Sequence, residues 1–376
     1  MMKKIFIITG EYSGDKHAAD LVRAIKNKNS EIEIEAIGGE NLKATGIKLF
    51  ADHKNMSAMG LSFKIIFNHV MLGRKLVTYL KNSFKPDLIV LIDYGGFNLN
   101  LSKVLKKYGF KIFYYIPPQI WASRKWRLNT VKQNIDKVIT IFPFEEKMYK
   151  DAGCDVEYAG HPLLNQLPPK TDRAAFFEKE GFDTEKKLLS IFPGSRKFEI
   201  KNLLSLFLDS AEIIQKRHHD VQLALCQAPT ISDELILGEL KKHPNLDIKV
   251  LKNKNYELLS TSDALMLASG TVALEAAIYN TPMIISYRGP QLFYYIYLIV
   301  RCIKRVCLPN IILDEDIVPE LVQNKAKSKN IVNELEKILN DKQYKLNFVN
   351  KLQQVVKSLA LGNSAENAAE IIIRNV

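Results

Sequence analysis

Cysteine is scarce in this chain. Its four copies, Cys154, Cys226, Cys302 and Cys307, form no C-x-x-C pair and are too sparse for a disulfide framework, which favours a reducing compartment. No H-E-x-x-H occurs either, so a structural or catalytic metal has little support. Neither the dinucleotide fingerprint G-x-G-x-x-G nor the P-loop G-x-x-x-x-G-K-[ST] is present, which disfavours nicotinamide chemistry and ATP hydrolysis. No uninterrupted apolar stretch reaches about 20 residues, so no helix is expected to span a membrane. The opening Met-Met-Lys-Lys-Ile-Phe-Ile-Ile-Thr-Gly has an apolar run of only four residues and no small-residue cleavage site. It reads as a first strand and not as a signal peptide.

What is present is ordinary in amount and unusual in arrangement. At 376 residues the chain exceeds what one hydrophobic core usually supports, so two domains are expected. The hydrophobic content of 47% and the charged content of 25% are those of a globular protein that buries real cores. The formal charge of +12 invites a polyanionic partner: nucleic acid, an anionic membrane surface or a phosphorylated substrate. No zinc-finger, basic-zipper or RNA-recognition pattern accompanies the charge, which sets nucleic acid aside.

Short β-rich runs alternate with helical periods along the chain. The runs are 3–9, 32–38, 87–93, 111–117 and 137–143, then 188–193, 221–228, 247–252, 264–268 and 282–288. Alternation on this scale predicts parallel sheets covered by helices, an α/β fold. Ala18, Leu21, Val22 and Ile25 share one helix face, as do Ile200, Leu203, Leu204, Phe207, Ala211 and Ile214. The proline-rich segment 162–171 separates the two strand series and is the expected linker. Both halves open with a strand, a glycine turn and a helix, in Gly10-Glu-Tyr-Ser-Gly-Asp15 and in Phe192-Pro-Gly-Ser-Arg196. Two doubly wound domains facing each other across a cleft follow, with ligands at the carboxyl ends of the strands.

The most informative stretch is Ala268-Ser-Gly-Thr-Val-Ala-Leu-Glu275. Ser269 reads as the N-cap of a helix, Gly270 lets a ligand approach the backbone, and the helix start with Thr271 suits phosphate. Glu275 is not where a capping box would place its acid, and a carboxylate one turn below Thr271 can accept from both hydroxyls of a ribose. Arg196 follows Ser195 at another helix start, where its charge opposes the helix dipole unless an anion lies between them. The alternative is an exposed arginine paired with Glu199. Asp93 ends the apolar run 88–92 beside the flexible Tyr94-Gly-Gly, where it can act as a general base or simply brace a loop. His161 ends a strand at the domain crossing and can touch substrate or brace its own loop.

Two segments look built for an apolar partner. Phe63, Ile66, Phe67, Val70 and Met71 line one helix face whose flanks carry Lys64, His69, Arg74 and Lys75. In the run 292–300, Phe293, Tyr294 and Tyr297 precede Arg301, Lys304 and Arg305. Aromatic and basic residues so arranged suit a membrane interface or a lipid chain capped by phosphate; a buried core helix is the alternative.

The ordered set of motifs resembles the lipid-A-disaccharide synthase family, inverting glycosyltransferases of Gram-negative lipid A and lipopolysaccharide synthesis. It includes Gly10-Glu-Tyr-Ser-Gly-Asp15, Ile37-Gly-Gly39, Ile92-Asp93 with Phe97-Asn98, Tyr115-Ile-Pro-Pro-Gln-Ile-Trp-Ala122, Phe142-Pro-Phe-Glu145, Gly160-His-Pro162, Pro193-Gly-Ser-Arg196, Ala268-Ser-Gly-Thr271 with Leu274-Glu275, and Leu308-Pro-Asn310. The resemblance implies a GT-B architecture of two Rossmann-like domains, 1–168 on the acceptor side and 169–354 on the UDP-sugar side, with a C-terminal helix in 355–376 packing back on the first. It implies the donor UDP-2,3-diacylglucosamine, the acceptor 2,3-diacylglucosamine 1-phosphate, a β-1,6 product and release of UDP. No cofactor or metal is implied. By position Asp93 would be the base, and Arg196, Ser195, Ser269, Gly270, Thr271, Glu275 and Asn310 would hold the donor. Glu11, Ser13 and His161 would face the acceptor. The implied place is the cytoplasmic leaflet of the inner membrane, peripherally bound. The family commonly reads Ile-Asp-Ala-Pro-Asp-Phe-Asn where this chain has Ile92-Asp-Tyr-Gly-Gly-Phe-Asn98, so the second aspartate is Gly96; Tyr12 also replaces the usual Ala. A related UDP-sugar enzyme with another acceptor, or a glycolipid-binding protein without turnover, are the competing readings.

Overall fold

Leu88–Ile92 is apolar and buried at every position, as a strand must be when helices cover both faces of a parallel sheet. The computed structural model describes residues 2–52, 63–290 and 302–376. They form two units, Met1–Asn165 with Leu359–Val376, and Gln166–Ser358.

The first unit is built on β1 (Lys4–Ile8), β2 (Glu33–Gly38), β3 (Lys48–Asp52), β4 (Leu88–Ile92), β5 (Ile112–Tyr115), β6 (Lys137–Thr140) and β7 (Val156–Tyr158). They lie in the order β3-β2-β1-β4-β5-β6-β7, every neighbouring pair parallel. The chain direction of winding reverses between β1 and β4. Loops leaving those two strands diverge there and leave a crevice at their carboxyl ends. The second unit carries β8 (Lys187–Phe192), β9 (Val221–Gln227), β10 (Ile248–Lys252), β11 (Ala264–Ala268), β12 (Met283–Tyr287) and β13 (Glu320–Val322). Their order is β10-β9-β8-β11-β12-β13, again parallel, with the reversal between β8 and β11.

The apolar faces read from the sequence are the buried ones. Helix Tyr12–Lys28 buries Ala18, Leu21, Val22 and Ile25, and helix Lys197–Arg217 buries Ile200, Leu203, Leu204, Phe207, Ala211 and Ile214. Three strands, β3, β7 and β13, carry no apolar run in the sequence. Each lies at a sheet edge, and β3 and β7 are only half buried, so alternation and hydrophobic content are weak there.

Helix Lys342–Leu359 is continuous, so a domain boundary at 354/355 falls inside it, and the chain enters the first unit only at Leu359. Asn363 then caps helix Ser364–Ile373 by accepting from the Ala365 and Glu366 N–H groups. The helix is tied to its unit by Ser364 Oγ donating to the Gly160 carbonyl at 2.7 Å and by the Lys28–Glu370 ion pair at 2.6 Å.

Candidate active site

In the first unit the switch point holds a strained turn. Asp93 and Tyr94 follow β4 with φ of 49° and 51°, and Ile116, after β5, has φ 54°. Left-handed backbone costs roughly 1–3 kcal/mol at such positions and persists only where the surroundings enforce it. The surroundings do so at Asp93. Its N–H donates to the Ile116 carbonyl at 3.2 Å, and its carbonyl accepts from the buried Tyr114 hydroxyl at 2.7 Å and from Asn98 Nδ2 at 2.9 Å. Asn98 is fully buried and also reaches the Ile8 and Ile92 carbonyls, tying β1, β4 and the turn together.

The start of helix Tyr12–Lys28 closes the other side of this crevice. Ser13 Oγ donates to Asp93 Oδ2 at 3.4 Å. A Cβ on Gly14 would lie 2.2 Å from Thr9 Oγ1, so glycine lets the helix start approach β1. Burial, and then the charge of Asp93, push the Glu11 carboxyl above its ordinary range. Asp15 is wholly buried and accepts from the N–H groups of Gly39 and Asn41, so it braces the loop after β2 and faces no ligand. His17, one turn beyond Ser13, feels the charge of Asp93, yet burial dominates and lowers its pKa. The sequence reading had not singled it out. His161 is buried against Phe142, with ring centroids 4.8 Å apart, and its Nδ1 accepts from the Leu163 N–H at 3.2 Å. Burial, helped by His17, lowers it to about 3, so it is a neutral loop brace at the edge of this group.

The residues at Tyr94 and Gly96 show what the altered motif does. A Cβ on Gly10 would lie 2.3 Å from the Tyr94 ring, so Tyr94 lies against the glycine loop. A Cβ on Gly96 would meet nothing, so that position faces open space.

In the second unit a cavity of about 300 Å³ opens at the β8–β11 switch point, lined by Ser195, Arg196, Ser269, Gly270, Thr271 and Glu275 among others. The helix there is Val272–Ile278 with Thr271 at its N-cap, and no side chain caps it. Ser269, expected as the cap, instead continues the sheet, its N–H donating to the Ser286 carbonyl at 3.1 Å. Gly270, Thr271 and Val272 therefore present N–H groups that have no partner among the described residues. The other loop is occupied differently. Glu199 Oε2 accepts from the Ser195 N–H at 2.8 Å and the Arg196 N–H at 3.1 Å, so those two backbone donors are taken while the guanidinium of Arg196 and the side chain of Ser195 still line the cavity. The Arg196–Glu199 ion pair foreseen as an alternative exists at 3.4 Å, but the arginine side chain is 78% exposed, where such a pair holds weakly.

Asn310 does not join this group. It lines another cavity of about 730 Å³ and is 1% exposed. Its amide donates to the Val318 carbonyl and Glu320 and accepts from the N–H groups of Ile317 and Val318, so its whole hydrogen-bonding capacity braces one loop.

Of the apolar segments, helix Phe63–Tyr79 exposes Val70 and Met71, while Leu76 and Val77 enter the core. The side chains of Phe63, Ile66 and Phe67 lie outside the described residues, as do Phe293, Tyr294 and Tyr297. Among the described residues no helix is long and apolar enough to cross a membrane, and no group of three or more His, Cys, Asp or Glu could hold a metal ion.

Solved structures share this fold at low identity. A UDP-GlcNAc 2-epimerase from Neisseria meningitidis bound to UDP-GlcNAc superposes with a TM-score of 0.64 at 12% identity, covering 99% of both chains. The glycotransferase of kitacinnamycin gives 0.66 at 12% identity, covering 100% of this chain and 99% of that one. Two doubly wound parallel sheets on this pattern define the GT-B class. The family model described as Lipid-A-disaccharide synthetase matches residues 5–375. The lipid-A-disaccharide synthase of Syntrophus aciditrophicus is 35% identical over 370 residues, 98% of this chain and 96% of that protein. That of Geobacter metallireducens is 32% identical over 376 residues, 99% and 97% of the two. The chain belongs to the lipid-A-disaccharide synthetase family and is a glycosyltransferase.

Proposed function

We propose that this chain moves 2,3-diacylglucosamine from its UDP-linked donor to the 6-hydroxyl of 2,3-diacylglucosamine 1-phosphate, with inversion, giving a β-1,6 disaccharide and UDP. The observation that carries the residue-level course is the Asp93 turn, strained and held from three sides at the switch point of the first sheet. Asp93 takes the proton of the acceptor hydroxyl as that oxygen attacks the anomeric carbon opposite UDP. Glu11 and Ser13 orient the acceptor beside it. The UDP end occupies the cavity of the second unit. Arg196 and the N–H groups of Gly270, Thr271 and Val272 take up the charge that grows on the departing diphosphate, while Glu275 accepts from the ribose hydroxyls. These donors serve the leaving group without a cofactor. The exposed Val70 and Met71, next to the exposed Arg74 and Lys75, fit peripheral contact with the anionic cytoplasmic leaflet of the inner membrane.

Incubating the pure protein with both acylated sugars and reading the disaccharide by mass spectrometry tests the reaction. Asp93→Ala is expected to lower turnover by about 100-fold or more, with UDP affinity kept. A variant with normal turnover would overturn the base assignment, and water-soluble acceptors used equally well would overturn the acceptor.

A further inference from the structure

The cavity at the β8–β11 switch point extends beyond the groups that the proposed donor site uses. It is also lined by Cys226, Ala228 and Asn255. Cys226 lies in β9, Ala228 directly follows that strand, and Asn255 follows β10. In the sheet order β10-β9-β8-β11 these residues stand one and two strands outward from the loop that carries Arg196. Two strand spacings are about 10 Å, the scale that separates a phosphate from the base across one ribose. Glu275 lines the same cavity, and its charge reaches Tyr256, the neighbour of Asn255.

The chemistry of this outer end is specific. The Cys226 thiol donates to Asn255 Oδ1 at 3.0 Å. Burial pushes that thiol up to about 12, so it stays protonated and remains a donor. With its oxygen engaged, the amide is fixed in one sense, and Asn255 Nδ2 has no partner among the described residues. Asn255 is exposed, and its free half is two N–H donors beside the small apolar surface of Cys226 and Ala228. A flat ring laid there would meet the Asn255 donors at its edge.

Building on the donor-site reading above, we infer that Asn255, oriented by Cys226, reads the base of the nucleotide by donating to a ring carbonyl. This makes it a specificity-determining residue for uridine over cytidine nucleotides. Uracil offers a carbonyl oxygen at its 4-position, where cytosine offers an amino group that would face the Asn255 donors with another donor. A site built to hydrogen-bond a particular group discriminates strongly against an analogue that cannot answer it.

Titration calorimetry of the full chain with UDP and with CDP tests this. The wild type is expected to bind UDP at least about tenfold more tightly than CDP. Asn255→Ala should weaken UDP about tenfold and leave CDP within about twofold, collapsing the ratio. Asn255→Asp, which accepts at the edge and so answers an amino group, should shift the preference toward CDP. Cys226→Ala should narrow the ratio and Cys226→Ser restore it, because the serine hydroxyl can still donate to Oδ1. Asn255 is exposed, so its two substitutions are expected to leave the melting temperature unchanged. A wild type that binds both nucleotides equally, or an Asn255→Ala variant that keeps the UDP to CDP ratio, would overturn the base assignment while leaving the donor site standing. A wild type that binds no UDP would overturn the donor site and this inference with it.

Discussion

The hydroxyl of Tyr114, a fully buried residue of β5, donates to the backbone carbonyl of Asp93 at 2.7 Å. Burial, and then the charge of Asp93, hold that phenol protonated far above its ordinary range, so it keeps the proton it donates. Tyr114→Phe leaves the carbonyl with Asn98 alone. The lost bond should cost about 1 kcal/mol, with up to about 3 if the carbonyl stays dry and short of a partner. Turnover should fall several-fold as the left-handed turn at Asp93 loosens, while UDP affinity in the other unit stays unchanged. Kinetics beside thermal melting decide the matter. A lower melting temperature with an unaltered kcat would make the bond structural and nothing more.

Gly10 and Tyr94 are coupled by exclusion. The Tyr94 ring occupies the space that a Cβ on Gly10 would need, at 2.3–2.6 Å from three ring carbons. Gly10→Ala should therefore destabilise the protein by about 1–3 kcal/mol in the wild type, as overpacking does. In a Tyr94→Ala background, the residue commonly found in the family, the same change should cost far less. Urea unfolding of the four proteins gives the coupling energy directly, expected at about 1–3 kcal/mol. An equal cost in both backgrounds would mean that something other than the ring requires glycine there.

Physical reasons separate what could be read along the chain from what could not. Strands such as Leu88–Ile92 and Ala264–Ala268 are buried on both faces, so each is an apolar run of strand length closed by turn residues. The edge strands Lys48–Asp52 and Val156–Tyr158 are half exposed and carry no such run. Asp93 drew notice in the sequence because it is the acid that closes an apolar strand. What holds it did not: Asn98 and Tyr114 meet the turn from a helix and from β5, and no spacing encodes that meeting. Glu199 did leave a signal. It stands three residues after Arg196, the capping-box position, which marks it as a partner for the loop N–H groups. Ser269 misled because residue type favours serine as a cap, whereas the hydrogen bond to Ser286 carries the sheet one residue further. Asn310 misled because its motif position says nothing about an amide saturated by its own loop.

Glu145 makes stability depend on pH in a direction opposite to most carboxylates. It is 1% exposed, Oε1 accepts from Trp121 Nε1 at 2.9 Å, and Oε2 has no partner among the described residues. Burial raises it to about 8 from an ordinary 4.5, against the opposing hydrogen bonds of Trp121 and of the backbone at Ile141 and Phe142. Below pH 4.5 both folded and unfolded chains hold this proton, so the group changes nothing. Between about 4.5 and 8 the folded chain keeps a proton that the unfolded chain has released, so unfolding gains with every step upward in pH. The stabilising contribution is complete at the acid end and is lost as pH rises toward the folded value, after which it is flat. Glu145→Gln keeps an acceptor for Trp121 and removes the titration. Relative to the wild type the variant should gain stability as pH rises through this window, by at most about 1.4 kcal/mol per pH unit. Melting temperatures of the two proteins at pH 5, 6, 7, 8 and 9, compared pairwise so that all other titrations cancel, give the slope. A constant difference across that range would mean that the buried carboxyl ionises at an ordinary pH, and that Trp121 and the Phe142 turn stabilise its charged form instead of its neutral one.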